Sequence, residues 1–285
     1  MYKARHAWLF LLIPGIFLIV FTLIPTIGAL GLSFTNYSVF APTKWLGLQN
    51  YAEILSDAEF WNAVKTTISY WLMVTPALVV LPVFLAILVN RDIKGITVYR
   101  LIYYFPVLVS VVVTAMLWKW MFQTDGIINY ALSIFGVAPK AWLTSKTLVI
   151  PSLAMVTVWQ GLGYYMLFYL SGLQTVPNEL YEAADIEGAS FWDKQWHITF
   201  PLLRPVIFFV AVVSTMSAFK EFTLMLTMTE GGPIGASTTV VFLVFEKAFE
   251  QLQMGYASAI SCILFIIILL ITILNQKLLD KDNQV

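Results

Sequence analysis

Six stretches of about 20 mostly apolar residues dominate the chain: Trp8–Ser33, Thr66–Val89, Leu101–Phe122, Leu148–Leu170, Pro205–Met228 and Ala257–Leu274. A helix of that length spans a bilayer, and a helix satisfies its own backbone hydrogen bonds where no water can. None of the six carries a run of charges. The expected fold is an all-α membrane protein with six transmembrane helices. The rest of the composition agrees. Hydrophobic residues make up 60% of the 285, charged ones 11%, and mean hydropathy is +0.82, whereas soluble domains carry about 25% charge. Lys+Arg and Asp+Glu both number 16, which excludes a strongly basic nucleic-acid binder. The single cysteine, Cys262, forms neither an internal disulfide nor a cysteine zinc cage. His6 and His197 lack metal-ligand spacing.

The first stretch has the basic start of a signal peptide, but it is too long for the apolar part of one and more spans follow. It is expected to be a retained helix. With the N-terminus inside, the inner segments hold Lys3, Arg5, Arg91, Lys94, Arg100, Lys194, Arg204, Lys277 and Lys281, nine residues. The outer ones hold five: Lys44, Lys65, Lys140, Lys146 and Lys247. That bias places both termini on the cytoplasmic side. Prolines such as Pro14, Pro76, Pro82, Pro106 and Pro205 fall within the spans, where neighbouring helices make them tolerable as kinks.

The long inner segment between the fourth and fifth spans is the informative one. In Val176–Ser190, Pro177 ends what precedes it and Asn178 suits a helix N-cap. Glu179 and Glu182 lie in the first turn, where the helix dipole favours acids, and Gly188 suits a left-handed stop. Ser190 and Asp193 have capping-box spacing. A second short helix is expected up to Phe200, with Pro201 opening the fifth span. Together these make a helix–turn–helix elbow at the inner membrane face. Glu179, Glu182 and Asp185 form an acidic stripe, ordinarily a solvated face, yet Ala183 and Ala184 are small enough for close approach by another surface.

Charges inside spans are costly and draw notice. Lys220 and Glu221 are adjacent in the outer part of the fifth span. Successive helix residues point about 100° apart, so they do not pair with each other. Lys119, near the outer end of the third span, is placed to pair with Glu221.

Glu182-Ala183-Ala184, three residues, Gly188, nine residues, Ile198, one residue and Phe200-Pro201 resemble the EAA loop of ABC importer permeases. Phe200 stands where that pattern has Leu. Trp45–Tyr51, Asn90–Gly95, Phe219–Phe222 with Thr229–Pro233, and Gly255–Ala259 are similar to the carbohydrate-uptake permeases, of the maltose/glycerol-phosphate type and the first of the usual two. The resemblance implies a type I importer permease, one domain over residues 1–285, in a prokaryotic inner membrane. Its coupling loop would cover about residues 173–200. It implies three kinds of protein partner: a second homologous permease, an ATPase dimer, and an extracytoplasmic binding protein that delivers a carbohydrate. The chain has no phosphate loop, so ATP and Mg belong to the ATPase, and no cofactor or enzymatic activity is expected here. Glu182, Ala183, Ala184 and Gly188 would dock on the ATPase. Position by position, the sugar path would use Thr157, Trp159, Gln160 and Gly161 of the fourth span and Ser214, Ser217 and Ala218 of the fifth. Lys220 and Glu221 would contact the substrate, or hold a gate or a contact between the two permeases. Tyr164 and Tyr165 are further aromatic candidates, and Val107 and Val111 are apolar where relatives place polar or aromatic groups. The alternative is a stand-alone carrier driven by an ion gradient, although acids suited to an ion relay are scarce in the spans. An intramembrane enzyme is a third reading, but no catalytic constellation supports it.

Overall fold

The computed structural model describes residues 4–91 and 93–280; Lys3, Asp92 and Lys281 of the sequence reading lie outside them. Thirteen α-helices follow one another among the described residues. They are α1 (Ala4–Leu18), α2 (Ile24–Leu32), α3 (Gln49–Ser56), α4 (Ala58–Val89), α5 (Ile96–Leu108), α6 (Val111–Met121), α7 (Ile127–Ser133), α8 (Val149–Leu173), α9 (Asn178–Ile186), α10 (Phe191–Lys194), α11 (Phe200–Phe219), α12 (Val240–Phe245) and α13 (Met254–Asp280). Among the described residues, five helical stretches are long and apolar enough to cross a membrane: Leu11–Leu32, Ala58–Val89, Val149–Leu173, Phe191–Phe219 and Met254–Ile273.

The third expected span is broken. α5 and α6 meet at 94°; between them Val109 is extended and Ser110 is also non-helical, both with ψ 135°. Pro106, three residues before the break, removes one helical donor. The fifth span also ends earlier than its hydropathy implies, at Phe219, with Lys220 as its C-cap. At its start, α10 runs through a π-helical turn (Gln195–Thr199) directly into α11, so Pro201 does not separate two helices as expected. The same device occurs within the first span. Proline has no N–H for the carbonyl four residues back. Just before Pro25 and Pro201, Ile24 and Phe200 instead donate to Ile19 and Gln195, five residues back.

The chain forms two compact units. Residues 1–61 and 240–267 make the first. Asn50, nearly fully buried, donates from Nδ2 to the carbonyls of Ser33 and Thr35 at 2.8 Å each. Phe34 stacks on Trp45 at 5.5 Å, so the Trp45–Tyr51 motif serves to fold the loop after α2 back onto α3. Lys247 pairs with Glu59 at 2.6 Å, and Tyr256 donates to Asp57 at 2.9 Å.

Residues 62–239 and 268–285 make the second unit. Its core holds Tyr70, Leu78, Leu153, Met166, Tyr169 and Leu203. The Arg100 guanidinium donates to the Val89 carbonyl at 2.8 Å, a cation at the C-terminal end of α4, where the dipole favours it. α8 is the central element, in contact with α5, α6 and α11. It reaches α5 through Gly163, where a Cβ would lie 2.2 Å from the Tyr103 carbonyl oxygen. Small residues that let helix backbones approach closely are a main source of packing energy in membranes. Gly163→Val is therefore expected to cost about 3 kcal/mol or more, the upper range for overpacking. The purified protein should show a lowered melting temperature and a reduced yield from membranes.

Candidate functional site

A cavity of about 360 Å³ opens among α4, α5, α6, α8 and α11 in the second unit. Thr157, Gln160 and Gly161 line it from α8, Ser217 and Ala218 from α11, and Glu221 from the segment that follows. Val107, Val111, Tyr164 and Tyr165 complete much of the wall. Most of the residues assigned to a path from sequence thus meet in one place. Three do not line it. Trp159 packs edge-on against Trp118 at 5.5 Å. Ser214 is fully buried and donates to the Ala211 carbonyl. Lys220 is exposed. The cavity also uses Val74, Leu78, Val213 and Leu224, apolar residues that hydropathy cannot tell from lipid-facing ones. Tyr70 stands behind it, fully buried, its hydroxyl bonded to Thr157. A tyrosine in an apolar run carries no sequence signal that separates this role from an interfacial one.

The polar residues of the cavity have structural duties. Gln160 donates from Nε2 to the Val109 carbonyl at 3.0 Å, one of the acceptors exposed where α5 breaks from α6. Glu221 accepts from the Leu224 N–H at 2.9 Å and faces the N–H groups of Phe222 and Thr223. It therefore caps the turn leading into a second backbone irregularity, the π-helical segment Met225–Thr229. Lys119 does not pair with Glu221 as expected: its ammonium donates to the Thr227 carbonyl at 3.2 Å.

The elbow forms from local signals. Gly188 adopts φ +78°. The Ala189 N–H reaches the Ala184 carbonyl at 2.9 Å and the Gly188 N–H reaches Asp185 at 3.1 Å, the paired bonds of a Schellman stop. Ser190 and Asp193 complete the capping box. At the other end, Pro177 takes the N-cap position and Asn178 is the first helical residue, with no side-chain cap. A proline there satisfies the geometry because the N-cap needs extended backbone, here ψ 131°. Two contacts pin α9 to the start of the next helix: Lys194 to Asp185 at 2.6 Å and Tyr181 to Thr199 at 2.9 Å. The two alanines divide. Ala184 is half-buried, whereas Ala183 is exposed beside Glu182. Ile186 is 89% exposed. Glu182 makes no hydrogen bond or ion pair among the described residues. The outward face of α9 therefore sets Ala183 and Ile186 among the exposed acids Glu179, Glu182 and Glu187.

The sequence pattern described as "Binding-protein-dependent transport system inner membrane component" matches residues 58–283. The chain belongs to this family. It is thus an inner-membrane transport component, and the reading as a stand-alone ion-driven carrier is set aside. It is 37% identical over 262 residues to the probable ABC transporter permease protein YesP of Bacillus subtilis, covering 90% of this chain and 84% of that one. It is 33% identical over 277 residues to the trehalose/maltose transport system permease protein MalF of Thermococcus litoralis, covering 96% and 94%. The fold matches a bacterial alginate ABC transporter solved with an alginate pentasaccharide-bound periplasmic protein. The TM-score is 0.88 at 20% identity, over 99% of this chain and 96% of that one. The family's fold, type I importer permease, is therefore that of this chain, with the third span broken in the middle.

Replacing Gln160 by Leu leaves the Val109 carbonyl without its partner. The expected cost is about 1 kcal/mol, that of one net hydrogen bond in a half-buried place, read as a lower melting temperature of the solubilised protein.

Proposed function

We propose that the chain is one of two permease subunits of an ATP-driven carbohydrate importer. It works as a single permease domain that forms half of the path and couples to a separate ATPase through α9. The observation that supports this most is the likeness to the trehalose/maltose permease along 96% of the chain. The cavity chemistry agrees. Sugar hydroxyls need amide and hydroxyl partners, which Gln160, Thr157 and Ser217 offer, and a pyranose face packs on aromatic rings such as Tyr164 and Tyr165. An extracytoplasmic binding protein would deliver the sugar, and a second homologous permease would supply the other half of the path. ATP and Mg would bind to the ATPase dimer, and this chain would hold no cofactor.

Glu182, Ala183, Ala184 and Gly188 are the proposed coupling residues. Glu182 would meet a cation on the ATPase, and Ala183 would let the two surfaces close. Ala184 and Gly188 hold the elbow's shape from within. The pins from Asp185 and Tyr181 make α9 move with α11, so a push on the elbow reaches the cavity wall.

Two measurements test this reading. Sugars are screened, with the purified complex and its binding protein in liposomes, for stimulated ATP hydrolysis; no response to any carbohydrate would sink it. In the same assay Glu182→Lys should leave the permease in the membrane but lower stimulated hydrolysis at least tenfold. Gly188→Pro should do likewise, because proline is locked near φ −65° where the bend needs +78°.

A further inference from the structure

A second cavity, of about 370 Å³, lies at the end of α6 that the Lys/Arg bias places outside, and shares no lining residue with the first. Lys119, Gln123, Thr124, Thr144 and Thr229 supply its polar side chains, and Phe122 and Trp142 its aromatic ones. It is built on irregular chain, yet both walls are fixed. One wall hangs on Asn129, only 2% exposed. Its Nδ2 donates to the carbonyls of Gln123, Thr124 and Lys140 at 3.1, 3.2 and 2.9 Å. Its Oδ1 accepts from the Lys140 N–H and from Trp142 Nε1, both at 3.0 Å. The facing wall hangs on Ser237, fully buried, which donates to the Gly232 carbonyl at 2.6 Å and bonds the Thr229 hydroxyl at 2.8 Å. Loops are normally mobile, so two buried polar hubs that rigidify a concave surface favour binding over mere connection.

The charge of this cavity is one-sided. Lys119 is half-buried and makes no ion pair among the described residues. One of its three donors goes to the Thr227 carbonyl, which leaves two. Lys140, exposed and outside the lining, lies 6.0 Å from the centre of the Trp142 ring. The neighbouring acids in sequence, Asp125 and Glu230, are exposed and do not line the cavity. The volume falls in the range of small-ligand pockets, about 300–1,000 Å³. We propose that this cavity is an outer subsite for an acidic sugar, a uronate whose carboxylate is held by the Lys119 ammonium. Gln123 and the threonine hydroxyls meet the ring hydroxyls, and Trp142 supplies the apolar wall. The proposal rests on the reading of the chain as a carbohydrate permease and names the substrate class.

The test is direct binding to the assembled transporter in nanodiscs, without binding protein or nucleotide. The probes are digalacturonate and its carboxyl-reduced neutral counterpart, followed by calorimetry. Digalacturonate should bind at least tenfold more tightly, as a charge-assisted contact requires. Lys119→Gln should lose that preference, Lys119→Arg should retain affinity within threefold, and Thr144→Val should weaken it several-fold. Equal affinity of the wild type for the two probes overturns the proposal, and that comparison needs no variant to fold. So does unchanged uronate affinity in Lys119→Gln, including the case where that variant weakens only docking of the binding protein. Stimulation of ATP hydrolysis by neutral sugars alone would leave the proposed importer standing and remove only this subsite.

Discussion

The structure depends on the absence of water in the hydrocarbon layer. Each backbone N–H and C=O there must find a partner within the protein, and continuous helix is the economical answer. This chain departs from it where α5 breaks from α6, where the fifth span stops at Phe219, and at the π-helical turns. At the two departures beside the cavity, a polar side chain meets exposed backbone: Gln160 at Val109, Glu221 at Leu224. Those same two side chains line the cavity. Breaking a helix in a membrane brings polar groups to the break, and polar groups in an apolar wall are what a hydroxylated solute needs. Backbone irregularity and the polar part of this cavity therefore share one cause.

At the inner face the problem is reversed. Water is present, so a nine-residue helix such as α9 has little reason to be stable alone. It is held by a Schellman stop and by two pins to a following helix that Ser190 caps, all involving residues within a 23-residue stretch from Pro177 to Thr199. The stripe that reads as a solvated acidic face is divided by this: Asp185 is spent on Lys194, and Glu182 is left facing outward. A helix fixed along its length but uncommitted on one face is suited to carry force, because displacement of that face moves the helix it is tied to.

How much was legible in the sequence follows from the range of each interaction. The spans, the Gly188 stop and the Ser190–Asp193 box were readable because helix length, left-handed φ and capping are decided within a few residues. The set of cavity residues from Thr157 to Glu221 was largely readable, but through family likeness. Composition alone could not have chosen Gln160 over Trp159. The break in the third span was hidden, since hydropathy summed over a window is the same for a straight helix and for two halves at 94°. The expected Lys119–Glu221 contact failed for a related reason. Charge signs propose a pair, but backbone acceptors compete, and Lys119 found the Thr227 carbonyl while Glu221 found N–H donors.

That competition explains why so few charges suffice here. In an apolar medium an ammonium or carboxylate can be satisfied by the dipoles of exposed peptide groups as well as by an opposite charge, and helix ends and breaks supply them in fixed directions. Glu221 at the start of a turn and Lys119 in the last turn of α6 each sit where the dipole favours their sign. A charge satisfied by the backbone keeps its field, because no counter-ion cancels it. Such a residue is structurally accounted for and still able to act on a solute. An ion pair in the same place would hold the helices together and present nothing to the cavity.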